Sequence, residues 1–569
     1  MAIQVSGSTV IHDSQDVQVS GMFTASSFVG DASQLTNLPA SGGTLEATAS
    51  GTLADGSKVI VNADGTVSTI VQTGISAWIA VLGTGLTDYG KDIAIDSSGN
   101  VYVTGYTQTS GAGSNDFFIA KYSASGTIQW QRTLGASSND AASGIAVDGS
   151  GNVYVTGTTF SPDTVLIAKY DTSGNIQWQK TLGGAGDHGT YDIAVDSSGN
   201  AYVTGKYYNG GSDSGILLAK YDSSGNLQWQ KRTSGGTEDR GHSIKLDSSG
   251  NIYIVGQTRT VATYHDILVM KLDSSGSVIW DRAITSASNQ GDEGWGVAID
   301  SSGNVYVTGK ISGSSGTELF VGKYNSSGTE QWQRSYNGGY GQGRGIAVDG
   351  SGNVYVTGFG GWSSGKSYDI MIVKYNSSGA IQWERTLGDV GNTVYESAEN
   401  LVVDGSGNLY IVGWQQSAGD GAYIIKLPGD GSLTGSYSTP GYTLAYASLS
   451  GTSTNSSYST NARSITTSTI NLTDSASSFT DAASNLPAST TTISSLSTTL
   501  TSENFIGISN GAYSDGQTAT IQVTGSVDDA QSGLTAGQAY YVQDDGTLGE
   551  SGSVFAGTAV SASKIIVKG

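Results

Sequence analysis

The stretch DSSGNVYVTG, Asp96 to Gly105, returns as DGSGNVYVTG from Asp148 and DSSGNAYVTG from Asp196, and four more times in looser form. Its asparagine falls at Asn100, Asn152, Asn200, Asn251, Asn304, Asn353 and Asn408, 48 to 55 residues apart. A period of that size means that each unit is one supersecondary element burying its apolar face against the next. Every unit reads alike. An apolar alternation ending in Asp (Ile93, Ile95, Asp96; Ile193, Val195, Asp196) leads into the Gly-Asn turn and VYVTG. A variable loop follows, then a run ending in Lys-Tyr or Lys-Leu, as in FFIAKY and ILVMKL, then a turn written SSG, and a fourth run built on QWQR. Period-two alternation, β-branched and aromatic residues and glycine turns make each run a strand. Four antiparallel strands in about 50 residues make a propeller blade, so the expected fold is all-β, a seven-bladed β-propeller.

The way the ring shuts is also written in the chain. The fourth-run tryptophan stands at Trp130, Trp178, Trp229, Trp280, Trp332 and Trp383, but the seventh unit ends in GDGSLTG with Leu433 in its place. Upstream, ISAWIAVLG puts Trp78 in the register of IQWQRTLG. This predicts an N-terminal strand, Ile75 to Leu82, completing the last blade beside Ala422 to Leu427 and removing two free edges.

Residues 75–428 resemble the SBBP-type β-propeller repeat through the phrases GNVYVTG and KY…SG…QW. The resemblance implies a seven-bladed propeller and no fixed activity. The repeated Asp96, Gly99 and Asn100 can be read as a cation loop or as a hairpin turn capped by Asp. A calcium loop gathers several carboxylates and each turn here offers one, which favours the turn. Lys121, Lys169, Lys220, Lys271, Lys323, Lys374 and Lys426 recur at one position, as the tryptophans do, and are expected to serve the scaffold.

Composition narrows the function classes. A net charge of −22 without clustered Lys and Arg argues against a nucleic-acid partner. The absence of Cys excludes disulfides and thiolate metal sites. MAIQVSGSTV lacks the pattern of an export signal, and no run of about 18 apolar residues suggests membrane insertion.

The flanks read differently. ASSFVGDASQLTNLPA, Ala25 to Ala40, resembles a segment of phage tail-fibre and other virion proteins, matching at Phe28, Gly30, Asp31, Leu35, Thr36, Asn37, Leu38 and Pro39, with Ala32 where that segment has a second Gly. ATASGTLADGSKVIVNADGTV and the ending from GLTAGQAYYVQDDGTL to SKIIVKG are similar to modules of structural proteins from phages of marine cyanobacteria; generic hairpins with Asp-Gly turns are the alternative. In the Ser/Thr-rich stretch, Ile465, Leu472, Phe479, Leu486, Ile493 and Leu500 stand seven apart, the repeat of a helical seam. Poor helix formers and Pro487 oppose a plain helix, and a three-chain stalk is expected. The domains are then 1–45, an N-terminal virion-attachment segment; 46–74, a hairpin connector; 75–434, the propeller; 435–502, the stalk; and 503–569, a small β-domain with strands near 505–508, 519–523, 539–542 and 565–567.

The function expected is that of a phage virion structural protein, a tail fibre or capsid-surface decoration that displays the propeller for host recognition. Its partners would be other virion proteins, a host-surface glycan or protein, and two further copies in a homotrimer; it would reside in the virion after assembly in the host cytoplasm. A secreted bacterial adhesin or lectin is the alternative, and a glycan-active enzyme a third. No catalytic residue, cofactor or metal is expected. The face carrying the second-to-third loops and the crossings between blades, where the units differ, is the expected contact surface. It gathers Tyr207, Tyr208, His265, Trp362 and Tyr368 from the loops, and His188, Tyr191, Trp295, Tyr340 and Arg344 from the crossings.

Overall fold

The computed structural model describes residues 77–432 apart from short loop segments, together with the backbone of strands within residues 3–11, 44–69 and 435–567. The described residues form strands, turns and bends and contain no helix. The chain makes two units, Gly74–Ser495 and a second that joins Met1–Thr73 to Leu496–Gly569.

Blade 1 is an antiparallel meander of Asp88–Ile95, Val101–Thr107, Asp116–Tyr122 and Ile128–Gly135. Six more blades follow, with first strands Asp140–Val147, Gly189–Val195, Arg240–Leu246, Glu293–Ile299, Tyr340–Val348 and Tyr395–Val403. Successive first strands pack together, and the seventh packs on the first, so they line the axis of a closed ring. The turn between first and second strands explains DSSGN. Asp96 Oδ1 accepts the N–H groups of Ser98 and Asn100, both at 2.9 Å, while Oδ2 accepts Asn100 Nδ2 at 2.7 Å and the Tyr102 hydroxyl at 3.0 Å. Asp148, Asp196, Asp247, Asp300, Asp349 and Asp404 hold their turns with the same donor set. Four donors per carboxylate occupy the oxygens that a cation would need.

The blades are joined through the other turn. Trp130 Nε1 donates to Thr172 O of the next blade at 3.1 Å, and Lys121 Nζ donates to the same carbonyl at 3.4 Å. The indole lies on Gly174, whose φ is 78°; a Cβ there would come within 2.8 Å of the ring. The contact recurs from Trp178 to Ser223, Trp280 to Ser326, Trp332 to Ser377 and Trp383 to Gly429. At the last junction Trp78 and Lys426 both donate to Ala124 O, at 3.2 and 3.3 Å. Ala77–Leu82 pairs with the third strand of blade 7 from Lys426↔Trp78 to Ala422↔Leu82, the expected closure. Both of its faces are buried: Ile79 and Val81 pack with Ile370 and Leu387, while Trp78, Ala80 and Leu82 pack with Val103 and Phe118.

The Ser/Thr-rich stretch corrects the reading of 435–502 as a separate stalk. Thr480–Ala483, Thr473–Ala476, Thr466–Thr469, Ser459–Asn461 and Thr452–Asn455 each add an antiparallel fifth strand to the outer edge of blades 1, 2, 3, 4 and 5, in that order. Tyr442–Ser448 does so for blade 6, and Ala488–Ile493 covers Ala77–Leu82 in blade 7. Five of these strands begin at 452, 459, 466, 473 and 480, so the seven-residue spacing is one step from blade to blade and not a helical seam. Thr-rich sequence suits such a belt, because β-branched residues favour strands and the available partner is a sheet edge. The seam on which the trimer expectation rested is thereby accounted for within one chain.

In the second unit Thr44–Thr48 pairs with Thr518–Val523 and Lys58–Val61 with Gly507–Ser509, so segments read as separate modules share one sheet. Strands at Thr518–Val523, Ala539–Val542 and Lys564–Val567 fall where the sequence placed them. The phrase Ala25 to Ala40 lies outside the described residues.

Two outcomes follow. Trp78→Ala should lower the unfolding free energy of the propeller by roughly 3–5 kcal/mol, read by denaturant titration. Ending the chain after residue 434 should accelerate amide hydrogen exchange in the outer halves of the fourth strands, for example Lys180–Gly183, which the belt pairs, while leaving the second strands protected.

Candidate functional site

The feature that builds the site is one β-bulge per blade. Pairing of the first with the second strand skips a residue between Gly90 and Asp92, Ala142 and Gly144, Thr190 and Asp192, Gly241 and Ser243, Gly294 and Gly296, Gly343 and Gly345, and Ala398 and Asn400. The extra residues are Lys91, Ser143, Tyr191, His242, Trp295, Arg344 and Glu399, and all seven line an axial cavity of about 660 Å³. A bulge inserts one unpaired residue and re-aims its side chain.

The final glycine of VYVTG makes the bulge possible. A Cβ on Gly105 would lie 1.8 Å from Tyr89 O, and one on Gly309 would lie 2.1 Å from Glu293 O, the carbonyls two residues ahead of Lys91 and Trp295. Only glycine lets the buckled first strand approach this closely. The repeated motif is therefore scaffold, but scaffold that aims the residues which differ.

Around the mouth these residues interlock. Tyr191 meets His242 edge-on at 5.2 Å, His242 stacks on Trp295 at 4.3 Å with planes 10° apart, and the Arg344 guanidinium lies 4.1 Å from the centre of the Trp295 ring. His242 Nδ1 sits 2.8 Å from Gly294 O; burial holds the ring neutral, its pKa pushed down to about 4, so Nδ1 carries the proton and donates. Glu399 lies 3.8 Å from Lys91 and accepts Trp414 Nε1 at 2.7 Å. Burial would raise its carboxyl, but Lys91 and Arg344 outweigh burial and hold it below the usual range.

One residue further along each strand lies a ring of junction residues. Asp92 accepts Ile145 N–H of the next blade at 2.7 Å and Asn400 Nδ2 at 2.5 Å; Asp192 accepts Ser243 Oγ and Ile244 N–H, both at 2.9 Å. Lys245 stands at a strand position that is alanine in five of the other blades and reaches to 3.6 Å from Asp192. Burial, and then the Asp192 charge, push the Asp92 pKa up to about 7.

Of the ten residues expected on the contact face, Tyr191, Trp295 and Arg344 converge in this cavity. His188 is corrected: it is fully buried, because its ring stacks on Tyr207 at 5.0 Å and its Nδ1 accepts Tyr208 N–H at 3.3 Å. Tyr208 lies 5.7 Å from Lys206 Nζ, His265 Nε2 lies 3.2 Å from Glu238, and Tyr368 packs on Phe359 and Tyr395, all away from the cavity lining. Tyr340 and Trp362 pair in backbone register at the ends of their strands, and their side chains lie outside the described residues. Lys91, Ser143, His242 and Glu399 went unread, although GKDIAI, ASGIAV, TYDIAV, GHSIKL, GWGVAI, GRGIAV and AENLVV show two changing positions inside a constant frame. Tyr106, Thr158 and Phe160 line the same cavity from the second strand of blade 1 and from the end of that strand in blade 2, so the mouth opens on the variable face.

Four stretches, residues 77–111, 129–162, 177–206 and 283–316, match the SBBP family model, described as a beta-propeller repeat. The chain thus carries SBBP repeats assembled as a seven-bladed propeller. No curated protein matches it. Solved structures similar to it include a puromycin hydrolase, 12% identical with a TM-score of 0.37 over 60% of this chain and 52% of that one, of which this chain therefore spans about half. A glucose dehydrogenase is 11% identical, TM-score 0.31, over 61% and 98% of the two chains, and a polysaccharide lyase 11% identical, TM-score 0.37, over 68% and 99%. Likenesses this distant carry no inference about what the chain does.

A carboxyl that keeps its proton to about pH 7 when folded, but only to 3.8 otherwise, adds stability that is complete below about pH 4 and lost as pH rises to 7. His242 runs the other way, losing its contribution as pH falls from 6.5 towards 4. Asp92→Asn should therefore lose a falling stability component between pH 4 and 7, with a slope approaching about 1.4 kcal/mol per pH unit, seen by comparing its denaturation midpoints with those of the parent.

Proposed function

We propose that this chain is a recognition protein whose propeller mouth binds a host-surface glycan or protein, carried as a structural component of a virion. The observation that carries the binding reading is the ring of bulge residues: seven blades share one frame, and in that frame the residue turned into the cavity is different in each of the seven. A scaffold position repeats; a recognition position varies, because each side chain meets a different part of one ligand. Binding is favoured over catalysis because Asp92 and Asp192, the carboxylates deep in the channel, spend their oxygens on N–H and O–H donors at the blade junctions. The virion setting rests on the resemblance of the flanking phrases, and its partners would be other virion proteins.

Tyr191→Ala combined with Trp295→Ala should weaken adsorption of the purified chain to host cells about tenfold or more, whereas Ser98→Ala in a repeated turn should leave it unchanged. Equal adsorption by all three proteins would end the mouth assignment. A mass-spectrometric inventory of purified virions tests the setting, and absence of the chain there would favour a secreted adhesin.

A further inference from the structure

We propose that the channel mouth takes the negatively charged group of an acidic saccharide, held by the N–H donors of Arg344 and Trp295. This rests on the binding reading above and names its ligand.

Arg344 differs from the other arginines of the ring in having neither a hydrogen bond nor an ion pair among the described residues; Arg232 and Arg240 also leave Nε without an acceptor, but their Nη2 groups donate to Ser234 and Glu238. Arg132, Arg282, Arg334 and Arg385 each donate Nε to a carbonyl of the next blade, at 2.6 to 2.9 Å. Arg344 Nε is buried and finds no acceptor among the described residues, and the same is true of Trp295 Nε1 beside it. Two neighbouring buried donors without acceptors incur a desolvation cost that a bound oxygen would remove. The guanidinium is fixed by rings and not by an anion: Trp295 lies at 4.1 Å, Phe359 at 5.6 Å, and no carboxylate among the described residues comes within ion-pair distance. Trp295 is covered on one face by His242 and on the other by Arg344, so its N–H edge, rather than a stacking face, is what it offers a ligand.

The charges at the mouth point the same way. Among the bulge residues Lys91 and Arg344 are cations and Glu399 is the one anion; Lys91 is within ion-pair distance of it, and the Arg344 charge acts on it from further away. On the same lining Lys245 offsets Asp192, and burial keeps Asp92 protonated to about pH 7, which leaves a small cationic excess that draws anions to this place in a chain of net charge −22. Planar recognition of a carboxylate or sulfate is what guanidinium does best. The cavity, about 660 Å³, has the size of a small-ligand pocket, which favours the end group of a saccharide over a folded protein surface. Tyr106 and Phe160 at the lining supply the apolar contact that sugar rings need.

Isothermal titration of the full chain with oligogalacturonate and its methyl ester, with a sulfated galactan oligosaccharide and its desulfated form, and with a glutamate oligomer tests this. At least one acidic saccharide should bind, with its neutralised form about tenfold weaker or more; which of the two binds distinguishes carboxylate from sulfate. Arg344→Met, which keeps the packing and removes the donors, should erase that difference, and Trp295→Phe should weaken the acidic form severalfold. Should Arg344→Met not melt like the parent, Trp295→Phe and Lys91→Met carry the comparison. Equal binding of charged and neutral saccharides, unmoved by Arg344→Met, would overturn the anion and leave the mouth a neutral-glycan site. Binding of the glutamate oligomer alone would overturn the saccharide. Binding of none of the probes would overturn the inference, while the adsorption assay decides the broader reading separately.

Discussion

The structure depends on one joint that recurs around the ring: at six of the seven junctions a turn carbonyl of one blade receives the indole N–H of the blade before it, and at the junction after blade 3 the Trp229 indole lies on Gly276 of the next turn. A four-stranded blade buries both faces and cannot stand alone, so stability comes from the joints. At the last of them the donors are Trp78 and Lys426, one from each end of the propeller sequence, meeting at Ala124 O. That joint sets a Trp and a Lys on one carbonyl, as the joints at Thr172, Ser223, Ser377 and Gly429 do.

The belt addresses what a closed ring leaves open. Each fourth strand still has an outer edge, and seven such edges would invite pairing with other chains. The Thr-rich segment pairs with the later half of each, moving backwards around the ring, in steps of seven residues from blade 5 to blade 1, and on blade 7 it spans all of Ala77–Leu82. That longer cover accompanies the deeper burial of Trp78, which is 1% exposed against 9% for Trp280 and Trp332. Closure is therefore secured twice, by the strand that fills the gap and by the strand laid over it.

Function is separated from this framework by the bulge. A regular first strand would send neighbouring side chains to opposite faces; the extra residue breaks that alternation at one level in every blade and turns seven unlike side chains to the axis. The glycine that permits this is part of the most repeated phrase in the chain, which is why a motif with no chemistry of its own still defines where the chemistry sits. The buried carboxylates one residue beyond the bulge, Asp92 and Asp192, bind one first strand to the next.

Much of the architecture was legible in the residues themselves. Blade number, the four strands of each, the turn chemistry of Asp96 and its equivalents and the closing role of Trp78 all follow from local patterns of period two and from a repeat whose missing member could be counted. Tyr191, Trp295 and Arg344 could be placed on the variable face, because strand direction fixes which loops share a side. His188 was misjudged, since burial depends on which neighbour fills the loop. The belt was misread because seven-residue spacing is common to a helical seam and to a step between blades, and only the presence of unpaired sheet edges tells them apart. The ring of Lys91, Ser143, Tyr191, His242, Trp295, Arg344 and Glu399 belongs to the tertiary structure alone: these residues stand about 50 apart in the chain, and a closed ring with one bulge per blade is what brings them around a single mouth.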